Sequence, residues 1–371
     1  MVETSGALEL FLELTAIPSP PGEERAVADV VLRYLHDLGL DPDEDGCGEA
    51  IGSTIGNVYA RLEPTAPGTP LFFCAHLDTV PPDGRLEPVV DDGVVRNAGG
   101  TILGADNKSA VVAMLEGARR VLAESRPHAG IELLFTPKEE VGLIGAYAFD
   151  DDRLQAELGY VYDQAAPIGE IILGAPWSQS MEVRFHGRAA HSGMFPEEGR
   201  SSIQAAARAI ADLRLGRVDE DTTANVGVIS GGTGGNIVPE WCMFLAEARS
   251  QDESKLKAIV QEMLDAFSFA ATSTDCEVET ALRKSYNGYR FKRGDDVVEL
   301  AARALEACGV EPTYALSGGG ADANVFNERG RRCVNLANGM TDIHTPDERI
   351  AVEDLDRMVD VTLALVDAAR A

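Results

Sequence analysis

The chain is 371 residues long and carries 32 Lys and Arg against 61 Asp and Glu, a formal charge of -29. That length holds one large or two smaller domains, and 45% hydrophobic with 25% charged residues is a globular composition, not a disordered or fibrous one. So acidic a surface repels phosphate backbones and anionic lipid, which leaves nucleic acid and membranes out of the expected partners. No apolar run approaches the ~20 residues that span a bilayer, and the opening Met-Val-Glu-Thr has no basic segment leading into an apolar core. The expected location is the cytoplasm. The six cysteines (Cys47, Cys74, Cys242, Cys276, Cys308 and Cys333) are scattered, as reduced thiols are. The motifs C-x-x-C, G-x-S-x-G, G-x-x-x-x-G-K-[ST], G-x-G-x-x-G and H-E-x-x-H are all absent.

In chain order, Val27, Val30, Val31, Tyr34 and Leu35 recur at helical spacing over 23–40, after a Pro-Ser-Pro-Pro-Gly turn. Apolar runs at 71–74, 131–135, 158–162 and 333–336 predict strands, while 109–122 and 355–369 predict helices. Strands alternating with helices predict an α/β domain with a central mixed sheet flanked by helices. Between about 176 and 286 the rhythm changes. Strands are predicted at 181–185, 224–229, 241–248 and 277–282, with helices at 201–213 and 255–269. That order is βαββαβ, the ferredoxin-like pattern, read as a domain inserted at 176–286 between segments 1–175 and 287–371 of the larger α/β domain. The larger domain's sheet is expected to resume with 297–308 and its successors.

Several predicted strands run into residues that metal ions favour. The strand at 71–74 leads to His76 and Asp78, that at 131–135 to Glu139 and Glu140, and that at 158–162 to Asp163. Open α/β sheets bind ligands at the carboxyl ends of their strands. Asp106 precedes a helix and His344 follows a strand. A set of two His and several carboxylates at one sheet edge suits zinc, manganese or cobalt. Singly, each has an ordinary reading as a surface histidine, a solvated acidic pair or a helix N-cap.

The chain resembles the M20 metallopeptidases, and among them the tripeptidase-like branch. The resemblance rests on Leu-Thr-Ala-Ile-Pro-Ser-Pro-Pro-Gly-Glu-Glu near the start, Ala-His-Leu-Asp-Thr-Val at 75–80, and Gly-Ala-Asp-Asn-Lys at 104–108. It continues with Pro-Lys-Glu-Glu-Val-Gly at 137–142, Ala-His-Ser-Gly at 190–193, Gly-Gly-Asn-Ile-Val-Pro at 234–239 and Ile-His-Thr-Pro-Asp-Glu at 343–348. These stand in the family's order across nearly the whole chain. The resemblance implies two divalent ions bridged by Asp106, with His76 and Asp163 completing one set and Glu140 and His344 the other. It implies zinc before cobalt or manganese, Asp78 orienting His76, and Glu139 as general base. It further implies that the inserted domain acts as a lid and dimerisation module, with His191, Asn236 and Arg249 as substrate contacts. His191 would donate to the developing oxyanion, from its own or the neighbouring chain, and Arg249 with Asn236 would grip the substrate's far carboxylate. The Gly231–Gly235 run and the 317–320 segment are further candidates to line the pocket, while His36, His128 and His186 are read as structural.

The function this implies is an aminopeptidase that releases N-terminal residues from short peptides, as a homodimer. An Asp at position 163 goes, in that family, with attack from a free amino terminus, and a Glu with carboxypeptidases and acyl-amino-acid hydrolases. An N-acyl-amino-acid hydrolase or carboxypeptidase is the alternative enzyme. A catalytically silent binding protein is the reading from another class.

Overall fold

The computed structural model describes residues 6–371, so the opening tetrapeptide read above lies outside the described residues. The chain divides into two compact units, one of Met1–Ala175 with Tyr289–Ala371 and one of Pro176–Gly288.

Four parallel strands form the centre of the first unit: Ile131–Thr136, Leu71–His76, Leu158–Gln164 and Arg332–Ala337, adjacent in that order. Every residue of Leu71–His76 and Ile131–Thr136 is buried, because both faces of a parallel sheet are covered. That is why these strands read as unbroken apolar runs. Glu132 is tolerated inside one of them because its carboxylate accepts the Gln155 and Ala156 N–H groups and the Tyr59 hydroxyl. Val58–Leu62 and Asp43–Glu44 extend one edge antiparallel. On the other side Glu170–Ala175 runs antiparallel to Arg332–Ala337 and carries both Tyr289–Arg290, antiparallel, and Thr313–Leu316, parallel. The sheet is therefore mixed.

Alternate side chains leave the strands on opposite faces. Leu71, Phe73, Ala75, Tyr160 and Val334 share a core with helices Gly6–Thr15, Arg25–Asp37, Ala105–Ala123, Asp296–Ala307 and Val352–Ala368. Phe72, Cys74, Val161 and Cys333 pack on Phe149, Ala323 and Phe326. Position 159 must be glycine, since a Cβ there would sit 2.1 Å from the Phe72 ring. One expectation is corrected. Residues 297–308 do not resume the sheet but lie in the helix Asp296–Ala307, whose buried positions Val297, Leu300, Ala301, Ala304 and Leu305 fall at three- and four-residue spacing. The sheet resumes instead with Tyr289–Arg290 and Thr313–Leu316.

The second unit is βαββαβ: Trp177–His186, Ser202–Asp212, Thr222–Gly231, Trp241–Ser250, Glu253–Ser273 and Glu277–Tyr286. Its antiparallel order places Trp241–Ser250 and Trp177–His186 at the centre, between Thr222–Gly231 and Glu277–Tyr286. Val183, Phe185, Phe244 and Ala248 form its separate core with Ala205, Ala209, Met263 and Phe267 of the two helices. Ser201 and Asp252 cap those helices with side-chain oxygens. Among the described residues no helix is long and apolar enough to cross a membrane.

Candidate metal centre

All four parallel strands end at the same edge, and the polar residues of the first unit gather there. His76 closes its strand with Nδ1 2.9 Å from the backbone oxygen of Asp78. That contact holds the Nδ1 proton and turns Nε2 toward Asp106 Oδ1, at 3.2 Å, and Asp163 Oδ1, at 3.8 Å. On the other side of Asp106, Oδ2 lies 3.2 Å from His344 Nε2, which is also 3.0 Å from Glu140 Oε1. Asp106 thus presents one oxygen to each imidazole. Ligand atoms of His76, Asp106 and Glu140 lie within 4.8 Å of one another, as do those of His76, Glu139 and Asp163.

The Asp78 carboxylate does something the sequence did not suggest. It accepts the backbone N–H of Glu139 (2.9 Å) and of Glu140 (3.1 Å), whereas its own backbone carbonyl serves His76. Asp78 therefore braces Glu139 and Glu140 as well as the imidazole. Fully buried Glu24 fastens the preceding residue, accepting N–H bonds from Gly22 and Lys138 and a hydroxyl bond from Ser53. Asn335 bonds both the N–H and the carbonyl of Asp163, and Asn338 donates to Tyr162 O. Buried Lys108 donates to Ile17 O at 2.6 Å, and burial lowers its pKa to about 7. Glu24 and Lys108 lie within the motif text, which marks them as important but not as struts.

The electrostatics follow from crowding. Burial, then the charges of Asp163 and Asp322, push the Glu139 carboxyl well up, against the opposing effect of His76. Burial and Asp106 raise Asp163 to about 7. Burial also raises Asp106, but hydrogen bonds from His344 and His76 outweigh it and hold its pKa low. His344 is raised to about 10 by Asp106 and Glu140. Burial opposes charge on His76, yet Asp106, Asp163 and Asp78 together hold its pKa well above the usual value. Carboxylates this close and this buried must either take up protons or face compensating positive charge. Two imidazoles and three carboxylates, one shared, fit a pair of divalent ions. Asp322, behind Glu139, was missed by sequence reasoning: its Oδ2 accepts from Thr136 and Cys74, while Oδ1 is buried without a partner.

In the second unit, His191 lies in the two-residue strand Ala190–His191, paired with Ile237–Val238 next to Asn236. Its Nδ1 accepts the N–H groups of Gly193 and Met194, each at 3.2 Å, so the exposed Nε2 is the hydrogen-bond donor. Half-buried Arg249 pairs with Glu247 at 2.9 Å. It stands eight residues along its strand from Trp241, whose carbonyl bonds Gly232 beside the ribbon. At ~3.3 Å per residue that is roughly 26 Å. Within a single chain, therefore, His191 and Asn236 stand together and Arg249 lies at the far end of the sheet.

The chain belongs to peptidase family M20/M25/M40, whose sequence pattern matches residues 72–368. It is a peptide hydrolase of the metallopeptidase class. It is 38% identical to the aminopeptidase PepT of Bacillus cereus, with a TM-score of 0.88 and 98% of each chain covered. It is 34% identical to a tripeptidase of Staphylococcus aureus, with a TM-score of 0.93 and the same coverage. The Bacillus subtilis protein YqjE is 39% identical over 369 residues and matches along the whole of both chains.

Proposed function

We propose that the protein is a dinuclear-metal aminopeptidase that releases the N-terminal residue from short unblocked peptides, tripeptides foremost. The observation that carries the reading is Asp106, with Oδ1 facing His76 and Oδ2 facing His344. The substrate class is supported by the similarity to an aminopeptidase and a tripeptidase.

His76, Asp106 and Asp163 would hold one ion, and Asp106, Glu140 and His344 the other. Such a pair would polarise the scissile carbonyl and lower the pKa of a bound water. Zinc fits this mixed nitrogen and oxygen set, as do cobalt and manganese. Glu139 is positioned beside the ligands and takes the water's proton, then returns it to the leaving amine. Asp163, one methylene shorter than Glu, would leave room beside the ion it holds for the substrate's free amine. His191 Nε2–H is a donor for the oxygen that gains charge, and Asn236 lies beside it.

A tripeptide spans only ~10 Å when extended, so His191 and Arg249 of one chain cannot hold the same substrate. A homodimer in which the His191 ribbon serves the partner's substrate reconciles them. The strand Thr222–Gly231 supports such pairing: beyond Ala224 its outer edge is unpaired among the described residues, with Val228 and Ile229 exposed.

Hydrolysis of Ala-Ala-Ala, N-acetyl-Ala-Ala-Ala and N-acetyl amino acids, with and without a chelator, tests the reading. The free tripeptide is cleaved fastest and the chelator stops it. Faster cleavage of N-blocked substrates makes the enzyme a deacylase or carboxypeptidase, and no cleavage of any overturns the tripeptidase reading.

A further inference from the structure

The segment 341–349 reaches the metal centre twice. Its neck is closed by the Thr341–Arg349 pair, bonded N–H to carbonyl in both directions at 3.0 and 3.1 Å, and by the ion pair of Arg349 with Asp342. Within that closed loop His344 faces Glu140 and Asp106. Four residues later Glu348, only 1% exposed, turns inward. Its Oε2 accepts the N–H groups of Leu103 (2.8 Å) and Gly104 (2.9 Å), and its Oε1 accepts that of Asp106 itself (3.0 Å).

The backbone here cannot satisfy itself. Gly104 is left-handed at φ +78, and Asp106 and Asn107 interrupt the helix Ala105–Ala123 with non-helical angles. Donors that a regular helix start would leave to water or a capping side chain are buried, and three of them converge on one carboxylate. Bonds from N–H to an ionised acceptor are the stronger kind. Both Glu348 oxygens are occupied by this backbone, which takes the residue out of the ligand set and makes it the fixed point from which the Asp106 side chain is aimed.

We propose that Glu348 is the positioning residue of the Asp106 bridge and that, because it shares a closed loop with His344, it couples the two ion positions. An ion that orders His344 also orders the loop bearing Glu348. That fixes Asp106 for the other ion. The inference rests on the dinuclear reading above and deepens it. A helix-start staple alone would predict lower stability of the variant with the bridge intact.

The test uses the full-length protein stripped of metal and titrated with Mn2+, followed by calorimetry and by electron paramagnetic resonance, which separates exchange-coupled from isolated Mn2+. The wild type is expected to take two Mn2+ in overlapping steps with a coupled spectrum. Glu348→Gln keeps the shape but turns an amide N–H2 toward backbone donors. It should bind Mn2+ roughly tenfold or more weakly, in two separated steps, with the spectrum of isolated ions. Glu348→Asp, which keeps the charge, should fall between the two, and it carries the test alone if Glu348→Gln loses its circular-dichroism signature. Wild-type affinities with a coupled spectrum in the folded variants overturn the inference and leave the dinuclear reading standing. A wild type that takes fewer than two Mn2+ overturns both.

Discussion

The metal centre and the His191 ribbon are built on opposite principles. In the first unit the four acidic side chains of the centre stand on backbone held by a buried polar group: Asp78 under Glu139 and Glu140, Asn335 under Asp163, Glu348 under Asp106. In the second unit His191 and Asn236 sit on an exposed two-residue ribbon, with Met194 and Phe195 bare beside them, 63% and 51% exposed. Charge must be aimed to fractions of an ångström and desolvated to act on a water molecule, so its supports are buried and rigid. The ribbon proposed to contact the substrate is exposed and held by few bonds, as segments that admit and release ligands are.

The largest effect that could break this contrast is at the bridge. Asp106→Asn should lose both ions and all turnover, while Glu139→Gln should keep two ions per chain and lose ~10²–10⁴ in kcat. Equal metal loss in the two variants, read by elemental analysis, would remove the division between ligand and base.

A smaller loss is expected at the ribbon. His191→Ala should lower kcat by roughly 10²–10³, with metal content and Tm unchanged, because few bonds hold that segment. A Tm drop comparable to that of a core truncation would mean the ribbon is a structural element after all.

The smallest effect concerns pH and the metal-free protein. Asp163 is raised from 3.8 to about 7 and His344 from 6.5 to about 10, so in these windows the folded chain holds protons that the unfolded chain has released. Both contributions are complete below the unfolded values and are lost as pH rises through the folded ones, so stability without metal falls with pH. Ions compete for the same lone pairs. The gain in Tm on adding Zn2+ should therefore grow by a few degrees from about pH 5 to about pH 8. A gain that is flat or shrinks with pH would show that these two groups do not bind the ions.

Much of this was legible in residue order because burial leaves a periodic trace. The strands through Phe73, Leu133 and Val161 are covered on both faces and so read as continuous apolar runs, and His76, Glu139 and Asp163 follow them directly. The alternating second unit was legible for the same reason. The helix Asp296–Ala307 was misread because a short run beginning Val297-Val298 suits strand and helix alike until its partners are known. Residue types and their order alone determined the fold class, the inserted βαββαβ pattern and the candidate ligand set. Only the tertiary structure decided which carboxylate faces both histidines, that Asp78 and Glu348 hold backbone, and that Arg249 stands far from Asn236. Those facts depend on irregular backbone and on contacts between residues up to 245 apart, such as Glu348 with Leu103, for which local periodicity carries no signal.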